Sequence, residues 1–197
     1  MSRRSILAFL RKLWRKPARP VCLLTSFNGQ WSYLPTGWGE QGWDGPERRS
    51  CEVTVSVRTQ HEEQARISVA ALASWGRWSG IHFRYTPEGG QLDIRFVPAR
   101  HDCEYVLEGG QLGHAYYPSS PIGGRVCIRE DVPLDKLQAV LAHEIGHALG
   151  LPHAPEMGCL MSPVYQPEIE RPTAADVAAL GELYLVRPMP SGAMRAQ

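Results

Sequence analysis

No stretch of the 197-residue chain approaches the ~20 consecutive apolar residues that a membrane-spanning helix needs, so an integral helical membrane protein is excluded. An excess of charge is missing as well: 21 Lys and Arg face 20 Asp and Glu, a formal net charge of +1. That balance leaves no electrostatic footprint for nucleic acid, and no nucleic-acid partner is expected. Cysteine is scarce and odd in number, five in all, which rules out a fully paired disulfide framework. Internal repeats and low-complexity tracts are also lacking. What remains, 43% hydrophobic and 21% charged residues, is the composition of a globular domain, and the length suits one core with tails.

Positive charge gathers in residues 1–20, where Arg3, Arg4, Arg11, Lys12, Arg15, Lys16 and Arg19 interleave with Ile6, Leu7, Leu10, Leu13 and Trp14. The helical spacing predicts a basic amphipathic segment able to touch a membrane surface or a partner, the alternative being a solvated tail. Its apolar run, Ile6 to Leu10, is shorter than the ~7–15 residues of a signal-peptide core, so no convincing signal peptide is read here. Residues 21–50, with Trp31, Trp38 and Trp43 among Gly and Pro, read as an irregular lead-in. Residues 51–186 read as the folded domain and 187–197 as a tail.

Within the domain, Val53, Val55 and Val57 alternate with polar residues as in a half-buried strand, and two further alternating runs span 81–85 and 92–96. Ile67, Ala71, Trp75 and Trp78 predict a first long helix ending near Gly80. Extended pieces at 111–117 and 124–129 precede a second helix marked by Leu134, Leu137, Leu141, Ile145 and Leu149, with Asp131 as its expected cap. Thr173 and Asp176 form a capping-box pattern that opens a last helix through Tyr184. The order predicts one mixed α/β domain.

The second helix carries His143-Glu144-Ile145-Gly146-His147, followed by Gly150 and His153. Two His at i and i+4 lie ~6 Å apart along one helix face, a spacing that suits two ligands of one zinc. Gly150 permits a positive φ that ends the helix and Pro152 blocks its continuation, so the chain can turn back and bring His153 to the same metal. Three His leave a fourth position open for water, as in a catalytic site. Glu144 is the general-base candidate: zinc lowers the pKa of its water toward ~7, and a carboxylate beside it can take the proton. Five fixed positions give on the order of 10⁻⁴ chance matches in such a chain.

His-Glu-x-x-His-x-x-Gly-x-x-His is the metzincin zinc signature, and Met161 stands where such proteins place their Met-turn. Gly158-Cys159-Leu160-Met161-Ser162-Pro163-Val164-Tyr165, Leu112-Gly113-His114-Ala115-Tyr116-Tyr117-Pro118 and Thr173 to Tyr184 make the chain most similar to the matrixins, the matrix-metalloproteinase type of catalytic domain. The resemblance covers about residues 50–186. It implies a five-stranded twisted mixed sheet with one antiparallel edge strand, two long helices and a C-terminal helix. It also implies a zinc endopeptidase whose protein or peptide substrate lies extended along Leu112, Gly113 and Ala115 as an added strand, with Pro163 and Tyr165 walling a side-chain pocket. Action outside cells is the family's usual setting.

The same resemblance implies a second, structural metal. His101, Cys103, His114 and Cys127 stand near the positions of the family's second zinc ligands, with Cys103 in place of a carboxylate and Cys127 in place of an imidazole. Two readings follow, a second zinc held by two thiolates and two imidazoles, or a Cys103–Cys127 disulfide. The family's neighbouring calcium is not expected, because Arg129 replaces an acidic ligand. Cys22 lacks the residues that flank the family's zinc-capping propeptide cysteine, and reads as an incidental thiol. The alternative function is a catalytically weak or inactive binding or assembly module of the same fold, targeted to a membrane surface or a partner by the basic amino terminus.

Overall fold

Val53 and Val55 bury one side of the first strand, β1 (Glu52–Arg58), and the alternation continues in β3 (Leu92–Val97), where Leu92 and Ile94 are inaccessible to solvent. In this computed structural model, residues 52–103, 107, 109–118, 120–155 and 157–184 are described. The amphipathic segment, the lead-in with Cys22, Cys51 and the tail expected at 187–197 lie outside the described residues. β2 (His82–Tyr85), β4 (Gly113–Ala115) and β5 (Arg125–Arg129) complete a five-stranded sheet of order β2-β1-β3-β5-β4. β1 pairs in parallel with β2 and β3, β3 in parallel with β5, and only the edge strand β4 is antiparallel. The expected mixed sheet is thus the observed one.

Among the described residues, three helices accompany the sheet. α1 (Glu62–Ser79) stops at Gly80, where the sequence predicts its end, and Gly80 takes the left-handed φ of 75°. Ile67, Ala71, Leu72 and Trp75 form its buried face. It packs on α2 (Leu134–Ala148), where Leu137, Val140, Leu141 and Ile145 are fully buried, and the Trp75 indole Nε1 donates to Ala142 O at 2.8 Å. α3 (Ala174–Leu183) opens on the predicted capping box and packs against α1. One expectation fails. Asp131 does not cap α2: Pro133 occupies the N-cap position without a side-chain cap, and Asp131 pairs with Arg129 at 2.7 Å instead. A charged neighbour two residues away wins over a helix end three residues ahead.

The face of β3 opposite the helices carries Asp93 and Arg95. Asp93 accepts hydrogen bonds from Ser56 Oγ (3.0 Å), Arg58 Nε (2.9 Å) and Arg95 Nε (2.7 Å). Desolvation pushes its carboxyl up, but Arg95, Ser56 and Arg58 together outweigh it and hold the pKa below the ordinary 3.8. Asp93→Asn is therefore expected to cost about 1–2 kcal/mol at neutral pH. A depressed folded-state pKa means this contribution is full above 3.8 and is lost as pH falls through the lower folded value. Denaturant unfolding of the two proteins should give stabilities that converge at the acid end; a difference that stays constant into acid would exclude the linkage.

Candidate metal centres and the cleft beside the edge strand

His143 and His147 face inward from the middle of α2, both essentially inaccessible, with their Nε2 atoms 3.1 Å apart. Each Nδ1 meets a main-chain carbonyl, Leu160 O at 2.6 Å for His143 and Leu151 O at 2.7 Å for His147. A carbonyl has no proton to give, so Nδ1 is the donor in both rings. In neutral rings both Nε2 atoms then present lone pairs to each other, an arrangement that is repulsive unless a cation lies between them. Neutral rings are what burial dictates. Desolvation pushes His143 down to about 4 and His147 well below its ordinary value, with the charges of His143 and His153 adding to the latter effect.

His153 arrives from a different direction. Gly150 takes φ 109° just past the helix end, and Leu151 N donates back to Gly146 O at 2.9 Å, which reverses the chain. The His153 ring then lies 5.4 Å from that of His143 and 4.7 Å from that of His147, centroid to centroid. Burial and the His143 charge hold it down to about 4 as well. One nitrogen from each ring falls within 4.8 Å of the others. Three neutral, converging imidazoles fit a zinc ion in both donor chemistry and spacing.

Glu144, the residue between the two helical His, is completely buried. Its Cγ lies against the edge strand, where a Cβ built on Gly113 would come within 3.2 Å of it. Glycine at 113 therefore lets the carboxylate-bearing side chain approach β4. The hydrogen bonds of β4 decide which of its groups stay outward. Arg129 N donates to Leu112 O, Tyr116 N donates to Arg125 O, and His114 stands opposite Cys127. In an antiparallel ladder the intervening residues, Gly113 and Ala115, point their main-chain N–H and C=O groups away from β5. Among the described residues no strand covers that edge.

Met161 is buried with its Sδ close to Gly146 of the His-bearing helix, and its turn is held by a carboxylate. Asp176 accepts Leu160 N at 2.9 Å and Met161 N at 3.0 Å, while its Oδ2 also accepts Thr173 N and Thr173 Oγ1, both at 2.7 Å. One carboxylate thus caps α3 and fixes Leu160, whose carbonyl orients His143. Sequence reasoning placed Asp176 in the capping box and missed the clamp, since nothing in a linear pattern marks which backbone N–H groups fold onto it. Gln166 is a second missed tie, accepting from Gly158 N at 2.9 Å and donating to Cys159 O at 3.2 Å. Above the turn, Ala139, His143, Leu160, Val164, Tyr165 and Ile169 line a narrow recess. Pro163, half-buried, is not part of that lining.

The second group converges on the opposite face of the sheet. His114 and Cys127 are cross-strand partners on β4 and β5, and the segment after β3 brings His101 and Cys103 over them. The Nε2 atoms of His101 and His114 are 3.0 Å apart, and the Sγ atoms of Cys103 and Cys127 are 3.6 Å apart. All four candidate donor atoms lie within 4.8 Å of one another. Tetrahedral zinc with Zn–S of ~2.3 Å and Zn–N of ~2.05 Å would set S···S near 3.8 Å and N···N near 3.3 Å, close to what is found. Cys127 donating to Cys103 draws the Cys103 thiol down, aided by His114 and Arg125, and pushes Cys127 up. Val97, Leu107 and Tyr116 pack around the two sulfurs as a small separate core.

Two substitutions test how the three-His centre is supported. A Cβ at position 146 would lie 2.4 Å from Met161 Sδ and 3.0 Å from the Trp75 ring, so Gly146→Ala should cost about 1–3 kcal/mol and weaken metal retention. Asp176→Asn turns an amide donor toward backbone donors, and should lower stability by about 2–3 kcal/mol. Thermal unfolding, with metal content measured alongside, checks both; unchanged melting would mean that neither clamp bears on the turn.

Comparison with known proteins agrees with this geometry. The family model described as Matrixin matches residues 43–185. Interstitial collagenase of Sus scrofa is 35% identical over 113 residues, which cover 53% of this chain and 24% of the collagenase. Matrix metalloproteinase-25 of Homo sapiens is 34% identical over 145 residues, covering 62% and 26% of the two chains. Matrix metalloproteinase-18 of Xenopus laevis is 32% identical over 136 residues, covering 61% and 29%. The chain spans about a quarter of the length of these curated relatives. With a three-His group on a helix and its return loop, a Met-bearing turn and an antiparallel edge strand, and with the family model matching most of its length, the chain belongs to the matrixin family.

Proposed function

We propose that this chain is a zinc-dependent endopeptidase, in which His143, His147 and His153 hold the catalytic metal and Glu144 is the general base. The observation that carries the reading is the meeting of three neutral imidazoles, a buried carboxylate and an open strand edge at one place. When bound, zinc supplies Lewis acidity to a water molecule and to the scissile carbonyl. Gly113 and Ala115 offer outward main-chain groups to an extended peptide, which is recognised as an added strand regardless of most side chains. Leu112 borders the same edge. Tyr165 lines the recess beside His143, and Pro163 stiffens the segment that carries it. Glu144 takes a proton from the attacking water and returns it to the leaving amine. Its burial keeps bulk solvent from competing for that proton.

Met161 has a packing role, filling the floor below the His set. The four residues His101, Cys103, His114 and Cys127 are read as a second zinc site that stitches the segment after β3 to the edge strand. Calcium has no part in this reading. The Arg129 guanidinium donates to Gly109 O at 3.3 Å and Gln111 O at 3.2 Å and pairs with Asp131, so a fixed cation already serves those oxygens.

Glu144→Ala should lower kcat/KM on a cleaved peptide by about 10²–10⁴-fold while the metal content of the protein is unchanged. His147→Ala should lose the metal itself. Peptide-library cleavage with atomic-emission counting of zinc measures both. Full activity in Glu144→Ala would refute the proposed base, and a parent protein that binds zinc without cleaving any peptide would favour a binding module.

A further inference from the structure

We propose that His101, Cys103, His114 and Cys127 form a redox-labile metal site, from which a low-molecular-weight disulfide expels zinc by closing a Cys103–Cys127 bond. The inference rests on reading these four residues as a zinc site, and goes beyond it.

Sulfur is the first reason. No thiol is among the three His ligands, so an oxidant that removes thiolate donors takes ligands from one of the two centres only; Cys159, buried in the recess beside His143, is not a candidate ligand. Geometry is the second. The Sγ atoms, 3.6 Å apart, already stand at the separation that a shared tetrahedral metal imposes, and a disulfide of ~2.05 Å needs an approach of only about 1.5 Å. Cys127 is fixed in the middle of β5, paired on both sides, whereas Cys103 sits in the connecting segment between β3 and β4. The approach therefore falls to Cys103, which can shift without breaking a ladder.

Access and charge set the order of events. Cys103 is 8% exposed and Cys127 is fully buried, so an incoming disulfide meets Cys103 first. Arg125 Nη1 lies 3.9 Å from Cys103 Sγ, and the Arg125 and Arg95 guanidiniums both reach Asp102 beside it. The Arg125 guanidinium beside Cys103 favours the thiolate form of that sulfur, which makes Cys103 the attacking group.

The Cys103 thiolate attacks one sulfur of the incoming disulfide, forming a mixed disulfide and releasing one small thiolate. The Cys127 thiolate then attacks Cys103 Sγ, forming the intramolecular bond and releasing the second small thiolate. Two protein thiolates lose two electrons, the small disulfide gains them, and zinc leaves because two of its four donors are gone. Val97, Leu107 and Tyr116 remain packed around the sulfurs in either state, so the segment stays stapled to β4 by metal or by covalent bond. The edge strand is thereby kept in place in reducing and oxidising surroundings alike.

The test uses the full chain, loaded with zinc under a phosphine reductant and freed of excess metal. Two zinc per chain are expected. Excess oxidised glutathione should then release one of the two to a chromogenic chelator, in step with the appearance of a linked Cys103–Cys127 peptide pair in an unreduced digest. Dithiothreitol with added zinc should restore the second equivalent. Two zinc retained with both thiols alkylatable would overturn this inference and leave the second site standing. Release of zinc with glutathione adducts but no Cys103–Cys127 link would overturn it too. A single zinc per chain before any oxidant would instead remove the second metal site, and the inference with it.

Discussion

Two imidazole nitrogens, each carrying a lone pair and no proton, face each other across 3.1 Å between His143 and His147, and the surrounding fold is arranged to keep them there. Left alone, such a pair would rotate apart or take up a proton. The carbonyls of Leu160 and Leu151 oppose the rotation by accepting from each Nδ1–H, and burial disfavours the proton. In the proposed zinc site, a cation entering between the rings would offset the cost of this frustrated pair. The supports extend outward in order. Asp176 fixes Leu160, the Gly146 backbone takes the Leu151 N–H, and glycine at 146 gives Met161 and Trp75 room below the rings.

The short edge strand does two jobs by means of the two-residue period of a β-strand. Gly113 and Ala115 turn toward the helical layer and Glu144, while His114 turns to the opposite face and meets Cys127. Chemistry proposed for one face and a metal proposed for the other therefore share a three-residue element. A strand that short has few ladder bonds of its own, and a cross-link behind it is a physical means of holding the edge that a peptide would read.

Charge plays a structural part despite a net value near zero. On the non-helical face, Asp93, Arg95, Arg125 and Asp102 form a chain of ion pairs that runs from the sheet to the Cys103 rim. Partly buried pairs of this sort contribute more through hydrogen bonding than through Coulomb attraction. Arg129 acts in a similar way at the end of β5, satisfying carbonyls of the loop before β4.

Much of this was legible in the linear sequence, for a reason that lies in geometry of fixed period. A helix makes positions 143 and 147 neighbours whatever else the protein does, a glycine at 150 can reverse the chain, and alternating Val, Leu and Ile residues make strands wherever one face is to be buried. Strand positions and all three helices followed from those rules. Asp131 did not follow, because a local ion pair to Arg129 competed with capping, and sequence alone does not rank the two. The sequence by itself determined the three-His motif, the helix that carries it and the pattern of buried faces. Only the tertiary structure decided what requires distant segments to meet: that Asp176 holds Leu160, that Gly113 makes room for Glu144, and that Cys103 reaches Cys127. Local periodicity is set by backbone stereochemistry within a few residues, whereas those contacts depend on how whole elements pack, and packing is a property of every residue in the core at once.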